Sequence, residues 1–396
     1  MIDPHQLTQA WHTNVDGAVY AEPLVVQGHV LVVTENDSLY SLDEQSGAIQ
    51  WHVNVGVPVQ LSTLPCGNID PLGITSTPVY DPQTGLLFAV AEIRGPSHIL
   101  VGVDLQTGQV RMRRTIDLPG MDPRTHQQRS ALALYKNHVY VAFGGLAGDC
   151  GNYRGTIIAA QTDGQGPLLS YHVPTPREGA IWAPSGPAID ANGHVFVAVG
   201  NGEVTQGSWD HSDSILRLSA DLALQDGFAP TQWQHDNETD ADLGSTGPLP
   251  LPNNLIFSAG KAGIGYLLHA DNLGGVGGQL SQLLVCPGAR SMGGAALLGT
   301  QIYVPCNNGV QLVNVGPGTK MSLGWKNKQL LLPPVIGGHT LYSLDPSGTL
   351  YAVDASTGQL RAQITLGPVA HFATPTLLAN HIFVGTMNSV FSVSVA

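Results

Sequence analysis

Residues 30–56 read VLVVTENDSLYSLDEQSGAIQWHVNVG, and residues 339–367 read HTLYSLDPSGTLYAVDASTGQLRAQITLG. The two stretches share one plan. Each holds three short runs in which β-branched and aromatic residues recur at every second position, the pattern of half-buried antiparallel strands. A short turn rich in Gly, Asp and Ser separates the first pair of runs, and a D-x-x-T/S-G turn separates the second. The Asp offers acceptors to the turn's N–H groups, and the Gly takes the positive φ that a tight hairpin needs. Partial copies stand at HILVGVDLQTGQVRMRRTIDLPG (98–120) and HIFVGTMNSVFSVSV (381–395).

A four-stranded unit of this kind cannot bury both its faces alone. Stacking units around an axis covers them, and closing the ring removes the last open face. Unit starts recur near Ala21, Ser76, Ser130, Pro187, Pro248, Gly294, Pro333 and Thr374, which makes eight. The expectation is an all-β chain whose residues 1–396 form one domain, an eight-bladed β-propeller with W-type four-stranded blades. The last copy stops after three strands. Its missing outer strand is available in QAWHTNVD (9–16), which repeats the IQWHVNVG (49–56) that ends the first blade. The N- and C-terminal strands would then share a blade and latch the ring. The alternative is a seven-bladed ring with an accessory hairpin.

Composition agrees with a turn-rich β protein: 48 glycines and 27 prolines among 396 residues, with 43% apolar and only 11% charged. Disordered chains are charged and poor in apolar residues, so disorder is excluded. No run approaches the length of a membrane-spanning helix. The formal net charge of −13 argues against nucleic acid and anionic lipid as partners. Cys66, Cys150, Cys286 and Cys306 form no CxxC, no haem-attachment CxxCH and no zinc-spaced set. Four widely spaced cysteines fit two disulfides and an oxidising compartment. The N-terminus MIDPHQLTQAW is no signal peptide. The reading adopted is a mature secreted or periplasmic protein whose signal peptide has been removed, over a cytoplasmic one with free thiols.

In a propeller, the loop entering each innermost strand and the loop joining the second and third strands open on one face, around the axis. These loops are longest in blades two to five: residues 57–73, 120–129, 144–154, 201–212 and 235–246. Cys66 and Cys150 fall in such loops of blades two and three, and Cys286 and Cys306 in those of blade six. The proposed pairs, Cys66–Cys150 and Cys286–Cys306, would each staple loops on that face, although four cysteines allow three pairings. The polar candidates on it are Arg129 with His126 in HQQR, Arg177, Glu178 and Trp182 in REGAIWAPSGP, Asn201 and Glu203 in GNGE, Asp240 and Asp242, and Lys261. His371 enters blade eight on the same face. Asp210, His211 and Asp213 in SWDHSD read as a turn rather than a metal site.

The D-x-x-T-G turn followed by a strand with Trp or another long side chain resembles the repeats of pyrroloquinoline-quinone (PQQ) dehydrogenases and their non-catalytic relatives. The resemblance covers nearly the whole chain and implies an eight-bladed propeller. It also implies site roles. Trp182 would stack on the quinone, Asn201 would ligate Ca²⁺, Asp242 would be the catalytic base beside the metal, and Lys261 and Arg129 would contact the cofactor. Asp149 and Glu178 are candidates to complete the Ca²⁺ site, and GDCGNYRG (148–155) resembles the family's cysteine-bearing loop. The implied reaction is oxidation of an alcohol or sugar with PQQ and Ca²⁺ at the funnel of blades three to five. Without a haem motif, electrons would leave to a separate acceptor. The chain departs from the pattern in lacking an adjacent cysteine pair, since Gly151 follows Cys150. The rival reading is a non-catalytic propeller binding a protein, glycan or small molecule through the same loops. A third is a hydrolase or lyase that reuses the funnel.

Overall fold

A computed structural model describes residues 4–396, whose strands sort into eight sheets built mainly of antiparallel neighbours. Their innermost strands begin at Leu24, Val79, Ala133, Ala188, Leu249, Ala296, Val335 and Thr376. Each lies within three residues of an expected unit start, so the chain is an eight-bladed β-propeller. Blades 1 to 7 comprise residues 24–54, 79–115, 133–172, 188–229, 249–284, 296–327 and 335–365. Blade 8 takes its three inner strands from 376–395 and its outer strand from the N-terminus. That outer strand, Leu7–Asn14, pairs antiparallel with Ser389–Val395, from Leu7 opposite Val395 to Asn14 opposite Ser389. It ends two residues before the expected limit because Asp16 already faces blade 1, accepting the hydroxyls of Thr34 at 2.8 Å and Ser38 at 2.6 Å.

The apolar residues at alternate positions interdigitate between neighbouring blades. Phe88, Val90 and Leu100 of blade 2 meet Val139, Val141 and Phe143 of blade 3, all fully buried. Such burial, at roughly 25 cal/mol per Å² of apolar surface, is the main force holding blade to blade.

A second contact recurs at the rim and explains the Asp-to-Gly turns. Trp51 of blade 1 lies on Gly108 in the turn of blade 2, and its indole N–H donates to the Leu105 carbonyl at 2.7 Å. Trp11 makes the same bond to Glu44 O at 3.0 Å beside Gly47, and Trp325 to Ala355 O at 3.0 Å beside Gly358. At Gly108, with φ at +69°, a Cβ would stand 2.8 Å from the indole ring. Glycine is needed there twice over, for the left-handed backbone and for the approach of the ring. The Asp of each turn holds its shape: Asp104 Oδ1 accepts the N–H groups of Gln106 and Thr107 and the Thr107 hydroxyl.

Three features depart from uniform four-stranded blades. His126–Gln127 adds to the overhanging end of His138–Gly145 in blade 3, where the inner strand leaves an edge open. Gly275–Val276 joins the outer edge of blade 4 in parallel. The loop entering blade 5, expected to be irregular, begins with the helix Trp233–Thr239, which ends at Asp240 with φ at +52°. Buried Trp233 anchors this helix. Among the described residues no helix is long and apolar enough to cross a membrane.

Candidate functional site

Both expected disulfides form, Cys66–Cys150 and Cys286–Cys306, and no cysteine remains free. The first ties the entry loop of blade 2 to the middle loop of blade 3 around Leu72 and Leu146. The loops of blades 3 and 4 are further joined through their backbones. Glu178 N–H bonds to Tyr153 O at 2.8 Å, Gly155 N–H to Glu178 O at 2.8 Å, and Gly179 N–H to Asn201 O at 2.7 Å. The long loops thus form one connected surface rather than separate insertions.

Across the mouth of the ring runs a row of cations and aromatic rings. Lys261 Nζ lies 5.5 Å from the centre of the Trp182 ring, and Trp182 packs on Phe372 at 6.1 Å. The Arg129 guanidinium follows, 4.8 Å from Phe372 and 5.6 Å from Tyr20. Cations attract the negative faces of such rings. A nitrogen of Arg129 also donates to the His371 carbonyl at 3.0 Å, which spans the ring from blade 3 to blade 8. Phe372 and Tyr20 went unnoticed in the sequence. Both stand in loops entering inner strands, so the rule that marked Trp182 could have marked them.

Asp242 and Lys261 meet because their backbones do. Lys261 N–H bonds to Asp242 O at 2.8 Å, and a Cβ on the neighbouring Gly260 would stand 2.4 Å from that same oxygen. The Asp242 side chain is fully buried, with Oδ2 2.6 Å from Lys261 Nζ. Its Oδ1 makes no hydrogen bond. Burial raises the Asp242 carboxyl above the usual carboxylate range, and Lys261 pulls it back. For Lys261 burial opposes the charge, but Asp242 and Asp240 outweigh it and raise its pKa. Lys261 also pairs with Asp240, which in turn holds Arg290 at 3.1 Å. Arg290 is a further residue that the sequence did not mark.

The proposed Ca²⁺ ligands Asn201, Asp242, Glu178 and Asp149 are not gathered into a cage. Asn201 donates its amide to Glu178 Oε2 at 3.2 Å, and Glu178 is paired with Arg177 at 2.5 Å. Asp149 accepts the Tyr153 hydroxyl at 2.5 Å, and Asp242 faces an ammonium group. Three of the candidates are engaged by protein partners and Asp242 keeps one oxygen without a hydrogen bond, whereas a calcium ion needs six to eight oxygen ligands around one point. Among the described residues no group of three or more His, Cys, Asp or Glu could hold a metal ion. As they stand, these side chains do not surround one point in the way Ca²⁺ requires. Asp210, His211 and Asp213 also diverge. Asp210 accepts from Ser212, His211 lies on Trp209 at 4.6 Å, and Asp213 is buried, receiving the Leu243 N–H at 2.6 Å.

Below the row, the axis holds a channel of about 230 Å³ lined by entry loops of seven blades. Glu22 borders it, and burial raises its carboxyl to about 7. Glu35 lies close by and is raised to about 8 by burial.

A ring of eight such blades with loops converging on its axis defines a class, the eight-bladed β-propeller. Residues 2–148 match the family model described as outer membrane protein assembly factor BamB, a PQQ-type repeat. A stretch of 49 residues is 43% identical to outer membrane protein assembly factor BamB of Yersinia pestis, but it spans only 12% of either chain. Among solved structures, BamB from Moraxella catarrhalis superposes with a TM-score of 0.67 at 15% identity, covering 98% of this chain and 99% of that one. A quinohemoprotein alcohol dehydrogenase from Pseudomonas putida HK5 gives 0.72 at 14% identity, over 98% of this chain and 76% of that one. At these identities the structural likenesses speak for fold alone. The chain is an eight-bladed propeller, and the match over residues 2–148 marks that part of it as PQQ-like repeat.

Proposed function

We propose that this protein is a non-catalytic binding propeller of an oxidising compartment, secreted or periplasmic, which docks a protein partner on the face carrying the long loops of blades 2 to 5. The observation that carries this reading is the state of Asp242. A general base must reach the proton it takes. Asp242 has no exposed surface, and its carboxylate is engaged by Lys261. The Cys66–Cys150 disulfide and the backbone bridges that join the long loops of blades 2 to 4 suit docking. The end-to-end likeness to a BamB structure, a name that elsewhere reads as an assembly factor, lends support.

One specific observation favours the quinoprotein reading as the second choice: Trp182, Asp242 and Lys261 do lie together. The test is direct. Purified protein is incubated with PQQ and CaCl₂, freed of unbound quinone, and assayed for retained quinone and for dye-linked oxidation of alcohols and sugars. The expected result is no stoichiometric quinone and no dye reduction. Stoichiometric quinone with turnover that Asp242→Asn abolishes would establish the dehydrogenase instead.

A further inference from the structure

The axial channel beneath the mouth has a chemical character of its own. Arg129 reaches into it, and among the described residues no carboxylate lies within ion-pair distance of the guanidinium. Its one hydrogen bond is to the His371 carbonyl, which leaves most of its five N–H donors unused. Arg129 is partly buried and packs over the Phe372 and Tyr20 rings, and its remaining N–H donors are open to an anion.

The hydroxyls around the channel are also donors in waiting. Thr77 Oγ1 accepts the Glu22 N–H at 2.9 Å, and Ser185 Oγ accepts the Gly247 N–H at 3.2 Å. Each therefore keeps its own proton free to donate. The Tyr20 hydroxyl makes no hydrogen bond to the described residues and stands beside Arg129. The nearby acid Glu35 does not neutralise Arg129. Its Oε2 is engaged by the Gly73 N–H at 2.7 Å and the Thr75 hydroxyl at 3.2 Å, and burial keeps it protonated near neutral pH. The remaining wall is apolar, including Pro333, Val335 and the Phe372 ring.

We propose that this channel is a binding site for a small organic carboxylate, its anionic end held by Arg129 with the hydroxyls of Tyr20, Thr77 and Ser185. A guanidinium fork matches the planar carboxylate in two parallel bonds. The apolar wall receives the carbon skeleton. A phosphate fits less well, because a second negative charge would find no second cation and would face Glu22. The site shares Arg129, Tyr20 and Phe372 with the mouth row, so it goes with the docking reading above; a bound quinone would claim Arg129 for itself.

The test is calorimetric titration at low salt with acetate, lactate and succinate, and with inorganic phosphate for contrast. At least one carboxylate should bind saturably at a single site, with phosphate weaker. Arg129→Gln should weaken binding about tenfold or more, the scale of a charge-assisted hydrogen bond pair. Absence of binding by all three acids at millimolar concentration would overturn the proposal, as would equal affinity in a folded Arg129→Gln protein. Tighter binding of phosphate would overturn the ligand class. Should Arg129→Gln fail to fold, Thr77→Val and Ser185→Ala decide the matter: both must weaken the carboxylate, and unchanged affinity in both would refute the site.

Discussion

At the scale of single residues, the mouth shows how one side chain sets the meaning of another. Asp242 is tolerated in the interior because Lys261 stands 2.6 Å away. Removing one partner of a buried pair leaves an uncompensated charge, at about 3 kcal/mol or more, whereas removing both is far milder. Lys261→Met should therefore lower the urea midpoint sharply, and Lys261→Met with Asp242→Asn should recover most of the loss. A single variant as stable as the wild type would mean that the pair is not coupled. Trp182, Asp242 and Lys261 were readable in the sequence because fixed positions in repeated units place them on one face. What they do to each other was not readable. Whether an acid lies open to a substrate or closed by a lysine depends on angles and tenths of an ångström, which no spacing encodes. The same limit hid how these acids and the amide are engaged: Asn201 donates to Glu178, Glu178 pairs with Arg177, and Asp149 accepts the Tyr153 hydroxyl.

At the scale of the element, the informative unit is the outer strand that carries a Trp together with the turn of the next blade. Trp51 and Gly108 form one joint across two blades. Trp51→Ala should cost about 3–5 kcal/mol, as large aromatic truncations do. Gly108→Ala should cost roughly 1–2 kcal/mol through its left-handed backbone alone, and more through the displaced ring. In a Trp51→Ala background only the backbone part should remain, so chemical denaturation of the two single variants and the double should show a clear coupling. Strict additivity would mean that the ring and the glycine act independently. The repeat itself was plain in the sequence, since period-two patterning and Asp-to-Gly turns are local. The helix Trp233–Thr239 was not, because a run with Thr, Asp and Asn reads as loop and is helical only through the burial of Trp233.

At the scale of the whole molecule, the low charge of the chain conceals a set of buried ionisable groups near the axis and between the first blades. Burial raises Glu22 to about 7 and Glu35 and Asp37 to about 8. The folded protein therefore holds protons that the unfolded chain has released, and the stability this confers falls as pH rises from the ordinary carboxylate range through these values. His98 acts in the same direction. Burial opposes its charge, yet Glu92 and Asp117 outweigh that and raise its pKa to about 10. Its contribution is complete below the ordinary histidine value and fades toward pH 10. Each tenfold preference for the protonated form is worth about 1.4 kcal/mol. Burial holds His126, His172 and His211 below the usual histidine value, which opposes this trend only below about pH 7. From pH 7 to pH 9 the melting temperature should fall, and Glu35→Gln should flatten the fall. A melting temperature that rises over this interval would refute the assignment.

The shared eighth blade has a consequence for how the protein comes into being. Leu7–Asn14 leaves the ribosome long before its partner Ser389–Val395. Until that partner is made the strand has no mate, and its free backbone edge is the sort that neighbouring nascent chains can capture. The ring closes through a contact between segments far apart along the chain, a demanding loop closure with a correspondingly slow expected rate. For this protein, biosynthesis is a race between Ser389–Val395 and any other strand that reaches Leu7–Asn14 sooner.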